Sequence, residues 1–153
     1  MDAVYVSRNT VFAATAGAKT VLKIITGTTF NIKVHEIGVS MDGVTSSAVP
    51  ATFEWGTSDE TTAGTSVGTP VTTQIKGRAQ ANGITLGQNF SAEGTTYTIH
   101  NGIFVPQFMG VVVIQNPLGL EPESPGDAAD SFLLRINVSA NVNVLAWVKW
   151  SRA

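Results

Sequence analysis

The chain has 153 residues, enough for one domain with a core of its own, and no cysteine, which removes disulfides, zinc–thiolate sites and thiol catalysis together. Charged residues make up only 13% of it, against about 25% in an average globular protein, and the net charge is −2. Nine scattered basic residues form no patch able to track a phosphate backbone, and no apolar run approaches the ~20 residues of a membrane helix, so neither nucleic acid nor a membrane is expected as a partner. The opening MDAVYVSRNT lacks the basic and apolar regions of a signal peptide and reads as the start of a soluble protein made in a cytoplasm. Low charge beside 43% apolar content has two readings. Either much of the surface is covered by a partner or by further copies of the chain, or it is a Thr/Ser/Asn-rich β surface, polar without charge.

Residues 1–20 read as an N-terminal arm carrying Val4, Tyr5, Val6, Val11 and Phe12, which forms an edge strand or reaches onto a neighbour. Its Ala-rich piece, 13–19, is broken by Gly17 and flanking threonines and makes no stable helix. Residues 21–153 read as one β domain. Strands are expected at 21–26 and 30–41. The second changes phase: Phe30, Ile32 and Val34 share one face, and Ile37, Val39 and Met41 the other, so a bulge or bend near His35 and Glu36 would restore the facing. Residues 51–56 bring Ala51, Phe53 and Trp55 together, a Thr/Ser/Gly connection covers 57–69, and strands at 71–78, 102–105 and 110–115 follow. In 131–138, Phe132, Leu134, Ile136 and Val138 share a face. In 142–150, Val142, Val144, Ala146, Val148 and Trp150 oppose Leu145 and Trp147, which implies a strand covered on both sides. Asp42-Gly43, Asn82-Gly83 and Asn101-Gly102 read as turns, and Pro50, Pro70, Pro106 and Pro117 sit at strand ends. Many short strands without helical periodicity make an all-β, single-domain β-sandwich, jelly-roll-like or β-tulip-like, with an extended N-terminal arm.

Candidate chemistry is sparse. His35 and His100 stand 65 positions apart, and Glu36, adjacent to His35, would face the other way in a regular strand, so solvated or hydrogen-bonded structural histidines are expected. The acidic segment 120–130 lacks the ligand spacing of a calcium loop and reads as solvated. Glu54, Asp59 and Glu60 near Trp55 cannot be placed across a cleft from sequence. No nucleophile elbow and no phosphate-binding glycine pattern is present, so no catalysis and no cofactor are expected. Asn89 and Asn137 open sequons whose use requires a secretory route. Trp147 and Trp150 suit burial in a core or interface better than a sugar platform.

Several segments, in order, resemble a known group: TVLKI near residue 20, SMDGVTSSAVPATFEW, TSDETTAGTSVGTPV, VVVIQNPLGLEPES and LLRINVSANVNVLAWVKW. The pattern, over about 130 residues, is similar to small β-rich proteins encoded among the head genes of tailed bacteriophages, the capsid decoration or cement proteins. The resemblance implies a homotrimer at three-fold positions on the capsid outer surface, bound to the major capsid protein and stabilising the mature shell. Val4, Tyr5, Val6, Val11, Phe12, Trp147 and Trp150 are then the candidate subunit or capsid interface. Rival readings are another virion part, such as a tail or head fibre, and a carbohydrate-binding module with Trp55, Trp147 or Trp150 exposed.

Overall fold

Alternating apolar residues with β-branched and aromatic side chains form strands because each pleated face then buries one row against a facing sheet. The computed structural model describes residues 2–26, 30–44, 49–59, 64–108, 110–124 and 130–153, with Asp59 and Asp130 described by their backbone alone. Among these there are eleven strands and no helix: β1 (Val4–Arg8), β2 (Phe12–Ala14), β3 (Gly17–Ile25), β4 (Ile32–Met41), β5 (Ala51–Asp59), β6 (Val71–Lys76), β7 (Thr85–Gln88), β8 (Tyr97–Val105), β9 (Val111–Gln115), β10 (Asp130–Val138) and β11 (Val142–Arg152). One antiparallel sheet has the order β6-β1-β11-β4-β9, with β2 also on β11; the other runs β7-β3-β10-β5-β8. Setting aside β2, β6 and β7, the remaining eight strands, renumbered in chain order, run 1-8-3-6 in one sheet and 2-7-4-5 in the other. That is jelly-roll topology, so the expected fold class stands. Strands β6 and β7 are an insertion between β5 and β8 that widens both sheets at one side.

The core lies between the sheets. Val144, Ala146, Val148 and Trp150 of β11 and Ile37, Val39 and Met41 of β4 face Phe132, Leu134 and Ile136 of β10, Phe53 and Trp55 of β5, and Leu22 and Ile24 of β3. The expected phase change in β4 is a bulge at His35. Trp150 pairs with Val34 and Lys149 with Glu36, which leaves His35 unpaired and returns Val34 and Ile37 to the same inner face. A second bulge, in β8, corrects an expectation. Trp55 pairs with Asn101 and Gly56 with Ile99, so His100 is the extra residue and Asn101-Gly102 lies within a strand instead of a hairpin turn. The asparagine still serves a local purpose: its Oδ1 accepts a hydrogen bond from Gly102 N–H at 2.8 Å.

Residues 2–20 are built into the sandwich, as β1, β2 and the start of β3. β1 is paired on both sides, by β11 and by β6. Tyr5 is 2% exposed and stacks on Trp150, ring centroids 4.6 Å apart. Its hydroxyl donates to the Gln80 carbonyl at 3.0 Å. Asn9 fills the gap between β1 and β2 as a surrogate ladder residue. Its Oδ1 accepts from Ala146 N–H at 2.9 Å, and its Nδ2 donates to Val144 O and to Asn89 Oδ1. Asn89, left-handed at φ +49, donates in turn to Thr10, which ties the end of β7 to the other sheet. Its side chain is thus committed to the interior, leaving Asn137 as the exposed sequon asparagine.

Both the buried indole and the N-terminal pairing have consequences for stability. Trp150→Ala, which removes a wholly buried ring and the 3.0 Å bond from its Nε1 to Ser7 Oγ, is expected to cost about 3–5 kcal/mol in denaturant unfolding. Deletion of residues 1–19 strips β1, β2 and the start of β3 from their partners and is expected to abolish cooperative thermal unfolding by circular dichroism; a truncated chain that melts like the full one would contradict the placement of Tyr5.

Candidate interaction surface

The bulge at His35 shapes the outer face of the β6-β1-β11-β4-β9 sheet. A bulge puts its two residues on the same side of the strand, so His35 and Glu36 both point outward, against the alternation a regular strand predicts. Glu36 becomes the hub of this face. Its Oε1 accepts from Lys149 Nζ at 2.7 Å and from Trp147 Nε1 at 3.0 Å, and its Oε2 from Gln115 Nε2 at 3.3 Å. Burial raises its pKa, but the hydrogen bonds from Lys149, Trp147 and Gln115 and the charge of Lys149 outweigh this and hold it below the ordinary 4.5.

Register places the outward residues in rows across the sheet. Val71, Arg8, Trp147, Gly38 and Val113 form one; Thr73, Val6, Lys149, Glu36 and Gln115 the next; Leu145, Ser40 and Val111 a third. Trp147 lies over Gly38, where a Cβ would sit 2.0 Å from its ring, so glycine is what lets the indole lie flat. The apolar content is unusually open: Val111 is 65% exposed and Val113 49%. Beyond β9 the turn 117–120 projects Leu118, 91% exposed, and Leu120, 76%. That turn is closed by Leu120 N–H to Pro117 O at 3.0 Å and by Gly119 N–H to Glu121 Oε2 at 2.6 Å, with Gly119 at φ +85. The segment after it returns to β4 through Val34 N–H to Pro122 O and Ser124 N–H to Ile32 O.

His35 meets Ser151 and Glu121 here. Nε2 shares a 2.8 Å hydrogen bond with Ser151 Oγ, and Nδ1 lies 3.7 Å from Glu121 Oε1. Bonds from its own backbone N–H and that of Gly119, with His35 nearby, hold the Glu121 carboxyl below its ordinary range. The order serine–histidine–carboxylate is that of an acyl-transfer triad, but Ser151 is 5% exposed and sits within a strand paired to Val4 on one side and Lys33 on the other. The geometry fastens β4, β11 and the 121–124 segment to one another. Glu121 is 86 positions from His35, so no local spacing in the sequence marks the two as partners.

The sequence-named interface residues separate. Tyr5 and Trp150 are core residues and offer no surface. Val4, Val6 and Trp147 lie half-buried on the outer face, Phe12 packs against the core, and Val11 is exposed beside Leu145. Trp55 is also in the core, so of the three indoles only Trp147 reaches a surface, with its N–H already donated to Glu36. At the far end of β4 an open depression is lined by Thr15, Asp42, Gly43 and Asn141, where both Asp42 oxygens accept from Asn143 at 2.7–2.9 Å, holding that carboxyl low. No three metal-ligating side chains converge among the described residues. Of the acidic segment, Asp127 lies outside them, as does Glu60 of the group near Trp55; of the expected connection 57–69, residues 57–59 belong to β5, 60–63 lie outside the described residues, and 64–69 are exposed.

No family model and no curated protein matches the sequence. Among solved structures, the chain is similar to a mutant VP2 protein of infectious bursal disease virus in derived T=1 particles, at 12% identity and TM-score 0.23, over 97% of this chain and 39% of that one. It is similar also to the T13 particle of the same virus, at 13% identity and TM-score 0.23, over 98% and 39%. The chain thus spans about two-fifths of the length of those viral chains, and the jelly-roll assignment rests on strand order alone.

The Glu36 cluster carries a pH prediction. Because its folded pKa is depressed, its stabilisation is present above the unfolded value near 4.5 and is lost as pH falls through the folded value. The thermal midpoint of the native chain should therefore drop more steeply below pH 4.5 than that of Glu36→Gln; parallel curves would show that Glu36 contributes nothing there.

Proposed function

We propose that the chain is a structural protein of a bacteriophage virion, binding the outside of the capsid as a homotrimer at three-fold positions and stabilising the mature shell. The observation that carries this reading is the outer face of the β6-β1-β11-β4-β9 sheet: apolar side chains stand exposed on a surface where Glu36 and Lys149 are paired with each other and Arg8 stands exposed. Such a face suits a large, close-fitting protein partner. The sequence resemblance to decoration proteins points the same way, and a jelly roll is a fold that capsid proteins use among many other roles. The mechanism is linkage. A protein that binds only the expanded lattice stabilises it by mass action, and repetition by symmetry multiplies modest contacts.

Light scattering on the purified 16.0 kDa chain is expected to give three chains per particle or a multiple of three, and the protein should co-sediment with expanded shells. Val11→Asp, on the exposed surface beside Leu145, should leave folding intact and weaken shell binding about tenfold, or ~1.4 kcal/mol. A strict monomer at micromolar concentration that ignores expanded shells would overturn the proposal.

A further inference from the structure

A sheet edge is a row of unpaired donors and acceptors, and proteins blunt such rows with charge, bulges or cover. Apart from the three-residue β2, which pairs only with β11, four strands end the two sheet orders, and three of them are blunted. β6 carries Lys76 and a register shift beside β1, and its Gln74 side chain donates to the carbonyls of Lys76 and Arg78. β7 has only four residues, and Gln88 at its end is taken by Val67 N–H and Ser66 Oγ. β8 is bulged at His100.

β9 has none of these devices. Its sequence is VVVIQ, with no charge, no proline and an unshifted register against β4. Gly110 O accepts from Met41 N–H and Asn116 N–H donates to His35 O, so residues 110 and 116 face β4. By the two-residue alternation Val112 and Ile114 do so too, and the N–H and C=O groups of Val111, Val113 and Gln115 point away from the sheet. Among the described residues they have no backbone partner.

We infer that the β9 edge joins two copies of this chain about a two-fold axis through Val113, as antiparallel strands. The occupant is a second copy because the edge is complementary to itself. The axis pairs Val113 with Val113 and Val111 with Gln115, neutral against neutral. It also brings the apolar groups flanking the strand together. Phe108, 42% exposed, precedes β9, while Leu118 and Leu120 follow it, so each copy's leucine turn lies beside the other's Phe108. β9 itself brings no charge to the axis, and of the ionic groups on this rim Glu36 is paired with Lys149 and Lys33 with Glu123 within each copy. The hydrogen-bonded turn at 117–120 presents its leucines ready-ordered, so pairing fixes few new degrees of freedom. This two-fold contact is separate from the three-fold assembly proposed above and does not rest on it; copies holding both would form particles with an even number of chains.

The chain's lack of cysteine makes the test clean. Opposed residues of a hydrogen-bonded antiparallel pair have Cα atoms about 5.5 Å apart, within disulfide reach. Val113→Cys, oxidised mildly in the otherwise native chain, should give a two-chain band on a non-reducing gel about tenfold faster than Thr73→Cys, on the opposite edge strand of the same sheet. Val113→Pro removes only an outward N–H, so it should preserve the thermal midpoint and halve the particle mass by light scattering. Cross-linking no faster than the Thr73→Cys control, or an unchanged mass for a folded Val113→Pro, would overturn the two-fold contact. A three-chain particle whose Val113→Cys variant gives no two-chain band would do so too, while leaving the three-fold reading in place.

Discussion

One inserted residue organises this molecule. β4 spans ten residues, and without the extra residue at His35 its two halves would bury opposite faces. With it, Ile32, Val34, Ile37, Val39 and Met41 all reach the core, and the strand stays paired along its length with β11. The same insertion sends His35 and Glu36 to one side. Glu36 then gathers Lys149, Trp147 and Gln115 from β11 and β9, and His35 gathers Ser151 and approaches Glu121. Packing inside and polar order outside thus have one cause.

The strand that reads the bulge, β11, is the other pillar. It pairs with β1, β2 and β4, and its inner row ends in Trp150 stacked on Tyr5. This arrangement makes the N-terminal segment part of the core: Tyr5 contributes a ring, Ser7 accepts the Trp150 N–H, and Asn9 substitutes for a ladder residue with its side chain. A surface built on such a strand holds its shape. The entropy of ordering the outer face is lost once, in folding, and not at each encounter with a partner.

Much of this was legible in the sequence, for identifiable reasons. The phase switch between Val34 and Ile37 announced a bulge or a bend because period-two alternation cannot otherwise keep both halves facing inward, and the register with β11 makes it a bulge. The inner rows of β10 and β11 were legible because each is an unbroken alternation. β1 was obscure because its inward row is Tyr5 and Ser7, one of them polar, and Ser7 is satisfied in the interior only through Thr72 and Trp150, distant in sequence. β7 was obscure for a similar reason: Gln88 is buried through Thr10 and Ser66. Asn101-Gly102 looked like a turn because a bulge and a turn draw on the same residues. The outer surface was hardest of all, since its contacts join residues 35, 121 and 151, and nothing local marks them.

The scarcity of charge also has a sharper meaning in three dimensions. Thirteen per cent of charged residues would be thin cover for any soluble domain, yet several of those present are committed to internal ties. Glu93 accepts from Thr20 and Tyr97 and lies near Arg135, pinning a loop to the second sheet, and Arg152 lies over Phe30 while donating to the 81–82 carbonyls. Charges used this way fix loops and edges but repel nothing. A monomer that had to stay apart from its copies would place unpaired lysines on its sheet edges; this chain places one on β6, Lys76, and leaves β9 as three valines, an isoleucine and a glutamine. The asymmetry between those two edges of one sheet means that no charge on β9 itself opposes contact along it.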